Sequence, residues 1–424
     1  MEKADLVVKG AKELLTLGKT DRNVRPTGPR RGREMSELGI VEDGALAVRD
    51  GEIVFVGETQ ELKMGGKEEI NASGRVVLPG FIDSHTHLIF AGSREKEFER
   101  RLLGESYQDI AEGGDGILST VKATRDASRE SLFELGRNRL DEMLQWGTTT
   151  VEVKSGYGLR TEDEIKILEV IQELNRKHSI DLVPTFLGGH EVPIEYRGNK
   201  EGYIRKIEEE MLPQISKMNL ASFCDVFCEE GVFDYEESRR ILKKGKEYGL
   251  KPKIHADELT SSGGADLAGE LGAISADHLT YPSEKGLEGM RRNGTIAVLL
   301  PGTSLFLRSE THAPARRMIE MGIPVALATD FNPGSSPILF MPIIFGLASL
   351  LMRMTPAEVI TAGTINGAYA VGKGERVGSL EVGKDADFLI LNIDHYRQLP
   401  YWFGQNLVEK VVKKGKVVWN RSRV

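Results

Sequence analysis

Apolar and polar residues alternate at both ends of the chain and change rhythm in between. DLVVKGAKEL (5–14) and GALAVRDGEIVFVGE (44–58) alternate around the turn dipeptide Asp50-Gly51. VGSLEVGKDADFLILNI (377–393) and VEKVVKKGKVVWN (408–420) do the same, with Lys414-Gly415 at a turn. Each end reads as antiparallel β structure, and neither is long enough to make a sandwich by itself. Residues 1–75 and 375–424 are therefore expected to form one composite β-sandwich domain.

From 76 to 374 the pattern becomes apolar strands followed by helical stretches, the signature of βα units and a parallel sheet. Strand candidates end near His87, Lys154, His190, Glu229, Glu258, His278, Leu300 and Asp330. That makes eight, which predicts an α/β architecture with a (β/α)8 barrel of TIM type. Among the helices, TEDEIKILEVIQELNRK (161–177) carries an apolar stripe, with Thr161 as its expected cap and Glu164 completing a capping box.

Composition changes this picture little. At 424 residues, burial is not limiting, and 64 acidic against 56 basic residues leave a formal charge of -8 with no basic footprint for nucleic acid. The cluster RPTGPRRGR (Arg25 to Arg33) lies in a Pro/Gly-rich setting and is expected to be an exposed loop. Cys224 and Cys228, the only two cysteines, fall on one face of a strand and read as buried packing residues. The N-terminal residues lack a basic region followed by an apolar run, and no window reaches the ~18 apolar residues of a membrane span. The expectation is a cytoplasmic protein with a small-molecule substrate and no nucleic-acid or membrane partner.

Chemistry enters at the strand ends. Five of the eight histidines, His85, His87, His190, His255 and His278, fall there, at the face where a (β/α)8 barrel carries its catalytic groups. His85 and His87, two apart on a strand, project to one side and can grip one ion. His255 and Asp330 each close an apolar run, where an ionisable group is costly without a partner. Three imidazoles and one carboxylate suit one divalent metal ion, zinc or iron, with a position left for water. Such an ion lowers the pKa of water from about 15.7 toward ~7. Glu258 follows His255 by three residues and His278 ends the next strand, so both can stand beside the metal as acid/base groups, and Asp330 can share that work. The sequence leaves the proton shuttle open among the three.

With these residues in hand, the chain resembles the metal-dependent amidohydrolase superfamily, through PGFIDSHTHLIFAGSR (79–94), VEVKSGYGL (151–159), FLGGHEVP (186–193), KIHADEL (253–259), SADHL (275–279) and ATDFNPGSSP (328–337). SGYG, LGGHE and DFNPGS together are similar to the branch that opens an imidazolone ring in histidine degradation. The resemblance implies a homodimeric enzyme that hydrolyses the ring amide of 4-imidazolone-5-propanoate to N-formimidoyl-L-glutamate, with the metal on His85, His87, His255 and Asp330. It also implies substrate contacts from Arg94, Tyr157, His190, Glu258, Asn332, Gly334 and Ser335.

Those residue types fit the chemistry. Arg94 offers a guanidinium fork for a carboxylate, Asn332 with the Gly334-Ser335 backbone could donate to a second one, and His190 could polarise the ring carbonyl. The fourth strand ends Cys228-Glu229-Glu230 and brings no lysine for a bridging carbamate, while Lys154 ends the second strand, so one metal is favoured. The alternatives are a nucleobase deaminase of the same superfamily and a barrel kept as a non-catalytic scaffold.

Overall fold

A computed structural model describes residues 3–18, 28–105 and 116–421. Eight parallel strands follow one another around a barrel: Phe81–Asp83, Thr148–Lys154, Asp181–Gly189, Phe223–Cys228, Lys251–Ala256, Ser275–His278, Ile296–Leu299 and Val325–Leu327. The first and eighth strands approach through Asp83, which accepts from Thr329 N at 3.0 Å and Thr329 Oγ1 at 2.6 Å. A parallel bridge, Thr86 to Phe331, continues that seam just beyond the strand ends. These strands read as continuous apolar runs because helices cover their outer surface.

Strands from the two chain ends form a second sheet, also eight-stranded. Phe388–Leu391 pairs antiparallel with Val76–Pro79, which in turn runs parallel to Ala4–Leu15. The strand Val76–Pro79 belongs by its hydrogen bonds to this sheet, and the barrel begins at Phe81, so the passage lies around Gly80, not ahead of residue 76. The alternation of this strand explains its place: Val76 and Leu78 join the barrel's apolar core, while Val77 joins the core of the terminal strands with Phe388 and Ile390.

Two local expectations change. The helix Thr161–Lys177 has Arg160 at its N-cap with no side-chain cap, and Thr161 bonds instead to Glu210 across to another segment. Glu164 turns away from its own helix end, toward the loop after the second strand, because amides clustered there offer a buried carboxylate more donors than a cap would.

In the described part of the basic cluster Arg31 and Arg33 are exposed, as expected, and Arg30 is not. Arg30 is buried, donating to Leu17 O at 2.7 Å, and its backbone N–H donates to Asn366 Oδ1 at 2.7 Å. Residues 25–27 of that cluster lie outside the described residues. Cys224 and Cys228 are both buried and unbridged. Among the described residues no helix is long and apolar enough to cross a membrane.

Candidate active site

The C-terminal ends of the barrel strands open into a cleft of about 1060 Å³. At its floor His85, His87, His255 and Asp330 converge: His85 Nε2 and His87 Nε2 lie 3.4 and 3.5 Å from Asp330 Oδ1, and His87 Nε2 lies 3.4 Å from His255 Nε2. All four are buried. His85 Nδ1 is 2.6 Å from Asp277 Oδ2, so the proton sits on Nδ1 and Nε2 presents a lone pair. Among the described residues that Nε2 has no hydrogen-bond partner. Buried imidazole nitrogens and a carboxylate oxygen facing one point fit a cation.

The supporting carboxylates were not singled out from sequence. Asp277 holds His85, and Asp225 Oδ2 lies 3.0 Å from His255 Nδ1, the carboxylate–histidine–metal arrangement that fixes ligand orientation. Thr303 donates to Asp330 Oδ2 at 2.6 Å and leaves Oδ1 toward the imidazoles. The signal for both aspartates was an acid inside an apolar strand, in SFCDVFC and ISADH, where a buried charge needs a purpose. Asp330 and His278 also adopt positive φ, 53° and 75°, backbone strain of the kind that collects at working sites.

Lys154 lies deeper, fully buried among Glu152, Asp225 and Asp277. Burial alone would lower its pKa, but the three carboxylates outweigh it and raise it above the ordinary lysine value.

The acid/base candidates stand beside the cluster. Glu258 Oε2 lies 3.5 Å from His278 Nε2. Burial, with the charges of Asp330 and Glu229, holds its carboxyl well above the usual range. Its backbone is pinned by Glu229, which accepts from Glu258 N at 3.1 Å and Leu259 N at 2.9 Å. The cap of the following helix falls to Asp257, which accepts from Gly263, Gly264 and Ala265 N, so Glu258 remains on the cleft wall.

His190 stacks on His87 with ring centroids 4.8 Å apart, and its Nδ1 lies 3.1 Å from Gly156 O. Burial pushes its pKa down to about 3, so the ring is neutral, Nδ1 donates to Gly156, and Nε2 can only accept. With Nδ1 engaged by Gly156 O, Nε2 carries no proton to offer a carbonyl. The loop that supplies Gly156 is held by Glu164, which accepts from Gly158 N and Leu159 N at 2.8 Å each and from Gly156 N at 3.1 Å. Tyr157 of that loop is buried, its ring centroid 5.4 Å from that of His190.

On the opposite wall, Arg94 reaches the cleft with Nε and Nη2 paired to Glu97 at 2.7 and 2.8 Å. Arg101, two turns along the same helix, also lines the cleft and donates to Gly334 O at 2.9 Å. Its i+7 spacing from Arg94 was the available signal. Asn332 differs from expectation. Its Oδ1 accepts from Gly334 N at 2.8 Å and Ser335 N at 2.7 Å, so these amides shape the loop and are not turned toward a ligand. Gly334 has a separate purpose, since a Cβ there would lie 2.1 Å from Arg94 Nη1.

A parallel barrel whose strand ends gather three histidines and an aspartate defines a metal-dependent hydrolase site, and the chain belongs to the amidohydrolase family, whose pattern matches residues 76–418. Within that family it is similar to the imidazolonepropionases. It is 50% identical to that of Geobacillus thermodenitrificans over 99% of both chains, and 50% identical to that of Symbiobacterium thermophilum over 100% of this chain and 99% of the other. Among solved structures it resembles the 5-methylcytosine deaminase of Klebsiella pneumoniae, with a TM-score of 0.73, 16% identity and 99% of each chain covered, a likeness of fold alone.

Proposed function

We infer that this protein hydrolyses the ring amide of 4-imidazolone-5-propanoate to N-formimidoyl-L-glutamate, the imidazolonepropionase step of histidine degradation. The observation that carries this reading is 50% identity to imidazolonepropionases over essentially the whole of both chains. The cleft supports it chemically, with a metal-ligand cluster at the floor and two arginines on the wall.

Bound to His85, His87, His255 and Asp330, one zinc or iron ion supplies the Lewis acidity that activates water. We propose a single ion because Lys154 is committed to three carboxylates, and Glu229 at the end of the fourth strand to backbone amides. Arg94, backed by Glu97, and Arg101 receive the propionate. Neutral His190 accepts from a ring N–H through Nε2, and Tyr157 packs beside it.

Asp330, a carboxylate whose Oδ1 faces the ligand imidazoles while Thr303 holds its Oδ2, takes a proton from the attacking water. Glu258, whose carboxyl burial and the charges of Asp330 and Glu229 hold above the usual range, delivers one to the leaving ring nitrogen as the C–N bond breaks. His278 orients Glu258. Asn332, Gly334 and Ser335 build the loop under the arginines. On the family likeness we place the protein in the cytoplasm as a homodimer.

The test is product analysis. Incubation with imidazolonepropionate is expected to give N-formimidoylglutamate by NMR, one per substrate consumed, with no ammonia in a coupled assay. Ammonia release without ring opening would transfer the site to deaminase chemistry.

A further inference from the structure

Beneath the metal ligands lies a set of charges that the proton transfers do not use. Lys154 closes the second strand with its side chain fully buried, and its Nζ lies 2.8 Å from Asp225 Oδ2, 3.0 Å from Glu152 Oε1 and 3.4 Å from Asp277 Oδ2. The two aspartate oxygens are the same ones that meet the metal-ligand imidazoles. Asp277 Oδ2 is 2.6 Å from His85 Nδ1, and Asp225 Oδ2 is 3.0 Å from His255 Nδ1. The other oxygen of each is held separately, Asp277 Oδ1 by Ser275 Oγ at 2.6 Å and Asp225 Oδ1 by Val226 N at 2.7 Å. One ammonium therefore touches both of the atoms that aim two ligands.

We propose that Lys154 is a positioning residue of the metal centre, its ammonium clamping Asp225 and Asp277 together so that His85 and His255 turn their Nε2 atoms to one point. The inference rests on the reading that His85, His87, His255 and Asp330 hold a metal ion. The physical reason is direct. Two buried carboxylates on different strands repel in a low-dielectric interior, and without a cation between them they would move apart. That movement would swing or untether an imidazole.

Lys253 provides a comparison within the same network. It is equally buried, but its Nζ meets Glu152 Oε1 at 3.0 Å, Ser84 O at 3.2 Å and Ala370 O at 3.5 Å, with neither ligand-aiming oxygen among these contacts. A general loss of buried positive charge would make the two lysines equivalent. The clamp makes them different.

The experiment is zinc affinity by competition with a chromogenic chelator, on wild-type, Lys154→Met and Lys253→Met proteins. Lys154→Met is expected to bind zinc about 10- to 100-fold more weakly, the usual effect of losing an outer-shell partner, and Lys253→Met to stay within about threefold of wild type. If Lys154→Met does not fold, the double variant Lys154→Met with Glu152→Gln keeps the net charge of the network and is expected to show the same weakening. Wild-type affinity in a folded Lys154 variant, or equal losses for both lysines, overturns the proposal. Failure of the wild-type protein to bind zinc defeats the metal-site reading itself.

Discussion

Gly334 lets the Arg94 guanidinium lie against the loop, because a Cβ at 334 would stand 2.1 Å from Arg94 Nη1 and the guanidinium would have to move. Gly334→Ala is expected to push the guanidinium off its Glu97 pairing and raise KM for imidazolonepropionate, with kcat less affected. Arg94→Lys removes the bidentate pairing with Glu97 that aims the guanidinium while keeping the charge, and should cost about 1.5–3 kcal/mol in kcat/KM, roughly 10- to 100-fold. Steady-state kinetics on the two variants checks both, and an unchanged KM in each would remove Arg94 from substrate binding. Glu258→Gln is expected to lower kcat by on the order of 10²-fold or more at unchanged metal content. A fully active variant would strike Glu258 from the proton path.

At this scale, the four candidate ligands were visible in the sequence because each sits where an apolar strand stops. Asp225 and Asp277 were less so: an acid within an apolar strand signals a buried charge with a purpose, but not which imidazole it faces from another strand. The engagement of Asn332 with its own loop was equally hidden, since a turn and a ligand contact call for the same residue types.

At the scale of elements, the strand pattern was legible because both faces of a parallel strand are covered, so apolar runs mark the strands and the ionisable residues mark their ends. Helix boundaries were less so. Thr161 and Glu164 fit the spacing of a capping box, yet Glu164 serves the loop of Gly156, Gly158 and Leu159. That loop places Gly156 O against His190 Nδ1, with Gly156 at φ 105°.

Glu164→Gln puts an amide NH2 among backbone N–H donors. It is expected to destabilise the protein by about 1.5–3 kcal/mol, the scale of a hydrogen bond to a charged group, and to lower turnover by freeing His190. Thermal unfolding and kinetics together test this, and a variant with wild-type values in both would show that the loop is held by other means. The buried Arg30 illustrates why the remainder was illegible: Pro, Gly and Arg spell an exposed loop unless Leu17 O and Asn366, distant in sequence, are known to lie beside it.

The whole molecule joins two sheets through a shared core, to which Leu389, Leu391, Val408 and Val411 of the terminal strands also contribute. Val76–Pro79 gives Val77 to the terminal-strand core and Val76 and Leu78 to the barrel core, so we propose two domains that stabilise each other. Ending the chain at residue 374 strips Phe388–Leu391 from that strand. Exposure of three such side chains costs on the order of 1.5–3 kcal/mol each, a large part of a typical folding stability of about 5–15 kcal/mol. The truncated protein is expected to be insoluble or to lose its cooperative melt by circular dichroism. A soluble, active barrel would contradict that dependence.

The central claim is that a metal held by His85, His87, His255 and Asp330 drives hydrolysis of an imidazolone ring. The most direct measurement follows the ultraviolet absorbance of imidazolonepropionate with the protein as isolated, after chelator treatment, and after zinc or iron is restored. The account predicts rapid loss of absorbance, abolition by the chelator and recovery with metal. Turnover that survives complete metal removal, or no turnover in the metal-replete protein, would contradict it.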